Sequence, residues 1–215
     1  MYFMSSAEIF RQLYKTYPAL KVCKNEINEA YKLLYKCAKK KATVLCCGNG
    51  GSAADSEHIV GELMKGFNLK RPLTAEQKEL FASLPGGKEM ADKLQQGVRA
   101  ISLVSQSGII TAFANDVDPA LVFAQQVFAY AEKKEDVLIA LSTSGNSRNI
   151  VNAVIASKAA NIHSIAITGE KDSKLSELSE VTIRLPAHTP FEVQELTLPV
   201  YHALCAAVEA EIFLS

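Results

Sequence analysis

The chain has 215 residues, 48% of them hydrophobic, which is enough apolar surface for one continuous core in a single unit of ordinary size. Its 23 basic and 23 acidic residues cancel without a long block of either sign, so the footprint of a nucleic-acid binder is missing and a small-molecule or protein partner is expected. Met1 to Arg11 holds no basic stretch followed by an apolar one, and no apolar run approaches the ~18 residues of a spanning helix, so a cytoplasmic protein without membrane insertion is expected.

Helical spacing runs from about Ser6 to Lys41, through Val22, Ile27, Ala30, Leu33, Leu34 and Cys37, with Pro18 dividing a short helix from a longer one. Residues 1–41 are read as an N-terminal helical arm and 42–215 as one α/β domain. Apolar runs without alternation follow at Thr43–Cys47, Ala100–Val104, Val137–Leu141, Ile162–Ile167 and Val181–Leu185, the pattern of strands buried on both faces. Between them, helical period marks Ser52–Lys65, Ser107–Ala114, Pro119–Glu132, Asn149–Ala160 and Phe191–Phe213. The alternation implies right-handed crossovers and a parallel sheet covered by helices on both faces. Residues 73–99, with Pro85-Gly86-Gly87 and many charges, exceed an ordinary connection and are read as a surface insertion with some helix. Pro199 is expected to bend the last helix near its middle. Cys23, Cys37, Cys46, Cys47 and Cys205 lack CxxC spacing and read as reduced core cysteines.

Ligands of such sheets bind beyond the carboxyl ends of the strands, and two polar turns fall there. Gly48-Asn49-Gly50-Gly51-Ser52 offers backbone close approach, with Ser52 placed to cap the following helix. It is neither a GxGxxG fingerprint, since Ala53 stands where glycine is needed, nor a P-loop. Ser142-Thr143-Ser144-Gly145-Asn146-Ser147 puts four hydroxyls ahead of a helix N-terminus, where a phosphate monoester matches the donors. Capping alone needs only one such residue, so we read the turn as an anion site.

His58 and Glu62 lie one helical turn apart and can hold a metal or act as a base with its partner; a surface pair is the simpler alternative. Gln194 and His202 are separated by about 80° and about 12 Å on an ideal helix, so they share a site only by reaching toward each other, and His202 among apolar neighbours also suits a core histidine. Asn115 and Asp116 end a helix before a turn and are read as contacts for sugar hydroxyls. His163 and His188 receive no role.

The ordered set Gly48 to Asp55, His58, Glu62, Ala114-Asn115-Asp116, Ser142 to Ser147, Gln194-Glu195 and His202 resembles the sugar isomerase (SIS) domain superfamily, and within it the phosphoheptose isomerases. The resemblance implies a three-layer sandwich around a five-stranded parallel sheet with flavodoxin-like topology, assembled as a homotetramer with active sites at subunit contacts. It implies zinc or another divalent cation on His58, Glu62, Gln194 and His202, with Glu62 and His202 as catalytic base and acid. It further implies phosphate and sugar contacts from Asn49, Gly50, Gly51, Ser52, Asn115, Asp116, Ser142, Thr143, Ser144, Ser147 and Gln194. The chain departs from those isomerases at Leu63-Met64-Lys65-Gly66-Phe67, where glycine then arginine more often precede the aromatic residue, and at Glu192, commonly arginine. The expected reaction is aldose–ketose isomerisation of sedoheptulose 7-phosphate through an enediolate. A non-catalytic phosphosugar- or protein-binding SIS module, or an isomerase of another phosphosugar, stays open.

Overall fold

The computed structural model describes residues 4–214, so the first three residues of the 1–41 arm and the last of the 42–215 domain lie outside it. Ser5 opens α1 (Ser6–Thr16) with a capping box to Glu8, and Pro18 starts the 3-10 turn Pro18–Cys23 that leads into α2 (Lys24–Lys39). Both helices lay apolar stripes on the core: Ile9, Phe10 and Leu13 from α1, and Ile27, Ala30, Leu34 and Cys37 from α2.

The sheet comprises β1 (Val44–Cys47), β2 (Ala100–Ser102), β3 (Val137–Leu141), β4 (His163–Gly169) and β5 (Val181–Leu185) in the order β2-β1-β3-β4-β5, every pair parallel. Successive residues serve opposite faces. Val44, Cys46, Val137, Ile139 and Ile165 join the core formed with α1, α2, α3 (Gly51–Met64) and α10 (Pro190–Phe213). Leu45, Cys47, Leu138, Ala140 and Ala166 join the core formed with α7 (Val122–Tyr130) and α8 (Arg148–Ala159). This double burial is why the strands read as unbroken apolar runs. All five cysteines are free and buried.

The strand order reverses between β1 and β3, and a crevice opens at such a switch point beyond the strands' carboxyl ends. The glycine turn follows β1 and the serine turn follows β3, so both border that crevice.

Several boundaries differ from the expected ones. Leu103–Ser105 is a 3-10 turn rather than the end of β2, held where the Gln126 amide donates to the Leu103 carbonyl at 3.0 Å. Pro119–Leu121 is also 3-10, because Asp118 caps it by accepting from Ala120 N at 2.7 Å; α6 (Ser107–Asp116) precedes it. A five-residue helix, α9 (Lys174–Leu178), sits between β4 and β5, too short to show a period and announced only by its Ser173/Ser176 capping box. Within 73–99 lie α4 (Ala75–Glu79) and α5 (Gly87–Lys93), and the backbone bridge Pro72–Gln95 closes the base of the segment. The 24-residue α10 continues through Pro199 and is apolar and long enough to cross a membrane, yet 67% of its most apolar window is buried in the protein.

At the opposite end of the sheet from the crevice, buried Asp136 ties β3 to its neighbours. Its carboxylate accepts from Thr43 N at 2.7 Å, Glu132 N at 2.8 Å and Lys133 N at 2.9 Å. Asp136→Ala strands three backbone donors and is expected to cost about 2–4 kcal/mol in urea unfolding; a loss below about 0.5 kcal/mol would contradict this account of the β3 entry.

Candidate active site

Gly50 begins α3 with φ 57°, a left-handed backbone that favours glycine, and a Cβ on Gly48 would run into the Ser52 carbonyl. The N-cap is therefore Gly50, with no side-chain cap; the expected capping by Ser52 is corrected, since Ser52 lies inside the first turn and is buried. Ser147, the N-cap of α8, also makes no capping bond, and its Oγ instead accepts from Ser142 Oγ at 3.2 Å. Two helix N-termini thus border the crevice without side-chain caps, which is the arrangement an anion needs. The two turns are joined by a reciprocal amide pair, in which Asn49 and Asn149 each donate Nδ2 to the other's Oδ1 at 2.9 Å. Thr143 is half-buried and Ser144 exposed, with Ser144 Oγ accepting from Asn146 N at 3.2 Å. Gly145, at φ 64°, lets the turn pass under Ser173.

Two turns into α3, His58 Nε2 lies 3.1 Å from Glu62 Oε1 and 3.4 Å from His202 Nε2 of α10. The two imidazoles stand edge to face, and Phe67 lies against His202 with centroids 5.4 Å apart. Glu62 is well covered, its side chain 13% exposed against 43% for His58. Burial, then the neighbouring His58, lowers the pKa of His202 below its ordinary 6.5, with Glu62 opposing. His202 is accordingly neutral at pH 7. Lys65 brings its Nζ to 3.5 Å from Glu62 Oε2, supplying a cation beside the carboxylate in the stretch that departs from the heptose isomerases.

Tyr201 and Asp55 complete the cluster, and sequence spacing did not single them out. The Tyr201 hydroxyl donates to Asp55 Oδ1 at 3.2 Å and lies 2.9 Å from His58 Nδ1. With its one proton given to Asp55, the hydroxyl accepts from His58 Nδ1–H, and that tautomer leaves His58 Nε2 as a bare lone pair. The signal was present in sequence: Asp55 precedes His58 by three residues, and Tyr201 adjoins His202 inside an apolar run.

His58 Nε2 then faces the Glu62 oxygen as one acceptor facing another, a contact that calls for a positive charge, either a proton or a metal ion. The 3.4 Å between the two Nε2 atoms also matches the ~3.3–3.4 Å edge of a zinc tetrahedron built on ~2.0–2.1 Å bonds. The donor set therefore fits a divalent cation, although among the described residues no three His, Cys, Asp or Glu side chains form a ready cage. With no thiolate, it does not single out zinc.

The other expected residues divide. Gln194 makes no hydrogen bond to His58, Glu62 or His202; its amide lies over Gly51, where an added Cβ would come within 2.7 Å of Nε2. It sits at the N-terminal end of α3, about 10 Å of helix from His58, and would have to swing along α3 to join a metal. Asn115 and Asp116, exposed at the end of α6, bond each other at 2.8 Å and touch none of these groups. His163 and His188 make surface pairs with Glu180 and Glu170.

If Tyr201 fixes the His58 tautomer, Tyr201→Phe lowers divalent-cation affinity roughly 10- to 100-fold in calorimetric titration while the melting temperature moves only a few degrees. Unchanged affinity would show that His58 needs no such anchor.

A family model described as SIS domain matches residues 108–207, and a second SIS domain model matches residues 2–84. The phosphoheptose isomerase of Laribacter hongkongensis is 32% identical over 89% of this chain and 86% of its own length. Phosphoheptose isomerase 2 of Campylobacter jejuni is 34% identical over 99% and 91%. Among solved structures, the phosphoheptose isomerase of Neisseria gonorrhoeae superposes with a TM-score of 0.72 at 27% identity, covering 95% of this chain and 96% of that one. That of Francisella tularensis gives 0.71 at 25%, covering 95% and 98%. By its parallel five-stranded fold, its site order and this likeness over nearly its whole length, the chain belongs to the phosphoheptose isomerase family of SIS-domain proteins.

Proposed function

We propose that the protein isomerises sedoheptulose 7-phosphate to D-glycero-D-manno-heptose 7-phosphate through an enediolate, with Glu62 and His202 as the proton-transfer pair. The observation that carries this reading is that His58 lies 3.1 Å from Glu62 on its own helix and 3.4 Å from His202 on another, beside a crevice bordered by two N-termini without side-chain caps. A purely phosphosugar-binding module has no need of that meeting.

Isomerisation takes a proton from the carbon beside a carbonyl and returns one to the neighbouring carbon. Glu62 is the base of that step: a carboxylate accepts the proton from one carbon and delivers it to the next. His202, neutral because its pKa is lowered, passes the hydroxyl proton between the adjacent oxygens, as a neutral imidazole both donates and accepts. His58, held by Tyr201, stands against the carboxylate and keeps it in place through a cation or proton shared between His58 Nε2 and Glu62 Oε1. The phosphate end is held by Ser52, Ser142, Thr143, Ser144 and Ser147 with the backbone of Gly50 and Gly51, while Asn49, Asn115, Asp116 and Gln194 address the sugar. Zinc or another divalent cation, held by His58, Glu62 and His202 with Gln194 swung in, would supply Lewis-acid polarisation of the carbonyl.

The same reading includes a homotetramer with sites at subunit contacts, in the cytoplasm. An apolar cavity of about 280 Å³ supports the assembly: Ile9, Leu13, Phe67, Leu198 and Ala206 line an opening that His202 borders, a face suited to burial against another copy.

Glu62→Gln is expected to abolish aldose formation from sedoheptulose 7-phosphate, lowering kcat by more than 100-fold, while calorimetry still shows sugar-phosphate binding. Near-normal turnover would remove Glu62 from the mechanism. Run with and without a chelator, the same assay reads the metal requirement: activity lost on chelation and restored by a divalent cation supports the ligand set, and indifference contradicts it.

A further inference from the structure

Arg71 and Glu209 are both buried, with side chains 0% and 1% exposed, and their ion pair spans 2.7 Å. A buried pair of this kind rarely gains stability over an apolar pair of the same volume, so what else it bonds is informative. The further hydrogen bonds of the two side chains run to the end of α3 and the loop that follows it, while the guanidinium also lies 4.6 Å over the Phe213 ring. Arg71 donates from Nη1 to the Leu63 carbonyl at 2.8 Å and from Nη2 to the Glu62 carbonyl at 3.2 Å. These carbonyls belong to the last turn of α3, which ends at Met64; the Leu63 carbonyl also accepts from Val98 N at 2.9 Å, so Arg71 shares that carbonyl with the strand-side backbone and holds the Glu62 carbonyl from its second nitrogen. The guanidinium also complements the negative end of the helix dipole there. Glu209 accepts from Phe67 N at 2.8 Å and Asn68 N at 2.7 Å, fixing the loop that carries the Phe67 ring onto His202.

We infer that the Arg71–Glu209 pair is a positioning device for the proton-transfer pair: it fixes the helix end from which Glu62 projects and the aromatic ring that bears on His202. One ion pair thereby sets both catalytic side chains relative to each other, although neither of its members touches the substrate site. Glu209 lies on α10 two turns beyond His202 and Arg71 lies just past α3, so the pair closes the far end of the same helix contact whose middle is the His58–His202 meeting. This inference rests on the proposed roles of Glu62 and His202.

The test compares three variants with the wild-type protein, assayed well below their melting temperatures. Glu209→Gln keeps shape and one acceptor oxygen. Arg71→Met with Glu209→Leu removes both charges at similar volume, so no unpaired buried charge remains. Asp136→Ala destabilises the far end of the sheet and controls for stability alone. Since misplacement by about 1 Å costs up to about 100-fold, Glu209→Gln and the double variant are expected to lose roughly 10- to 100-fold in kcat with KM within about threefold. Asp136→Ala should keep kcat within about twofold. In histidine-labelled protein, the His202 ring resonance should move in Glu209→Gln and in the double variant and stay in place in Asp136→Ala. A folded Glu209→Gln or double variant with wild-type kcat and an unmoved His202 resonance overturns the inference, as does an equal kcat loss in Asp136→Ala. Glu62→Gln in the same assay separates the two claims: if it turns over normally the proposed base is wrong, and the His202 resonance still reports whether the pair positions the ring.

Discussion

The site depends on one packing arrangement, the side-by-side, same-direction contact of α3 and α10. Gly51 meets Gln194, His58 meets Tyr201 and His202, and the segment beyond α3 meets Glu209. With register fixed at three levels, the rise of 1.5 Å per residue carries each polar group to a defined partner. A slip of one turn, about 5 Å, would put His58 opposite other residues of α10 and part it from Tyr201 and His202. The driving force for the contact is burial of Ile59 and Leu63 from α3 with Val200, Leu204 and Val208 from α10 in one core. The polar groups occupy the rim of that apolar contact.

The sheet determines where this helix pair stands. Reversal of strand order between β1 and β3 places the turns after those strands beside each other, and the Asn49–Asn149 pair fastens them. Because α3 springs directly from the first turn, its N-terminus faces the anion end while His58 and Glu62 lie two turns further along. The fold thus sets the N-terminus of α3 and the His58–Glu62–His202 cluster a fixed distance apart, roughly 10 Å of helix, and on the proposed reading the phosphate and the reacting carbons of the substrate would span that distance. Strict positioning of this sort is how binding energy from a non-reacting phosphate serves the reacting carbons.

Much of this was legible in the chain. Strands buried on both faces appear as unbroken apolar runs, so β1, β3, β4 and β5 stood out, and the two polar turns mark themselves by composition. Glycine, histidine and glutamate at fixed offsets on one helix are likewise visible, because a helix has one period. What could not be read is register between elements far apart in sequence. Nothing in the spacing of Gln194 and His202 tells that the first lies over Gly51 and only the second reaches His58. Tyr201 was hidden for the same reason: in an apolar run a tyrosine reads as core until its hydroxyl is seen between Asp55 and His58. Short elements such as α9 carry too few residues for a period, and the Ser52 cap failed because Gly50, free to adopt positive φ, caps the helix two residues earlier.

The central claim is that this helix pair builds a proton-transfer site, and the most direct measurement is isomerisation of sedoheptulose 7-phosphate in D2O, followed by NMR at C2 of the aldose product. Transfer by Glu62 through an enediolate lets the carried proton exchange with solvent and places deuterium at C2 in part of the product, and Glu62→Gln loses that product. A product that carries only the original hydrogen there, and that Glu62→Gln forms as fast as the wild-type protein, would contradict the account.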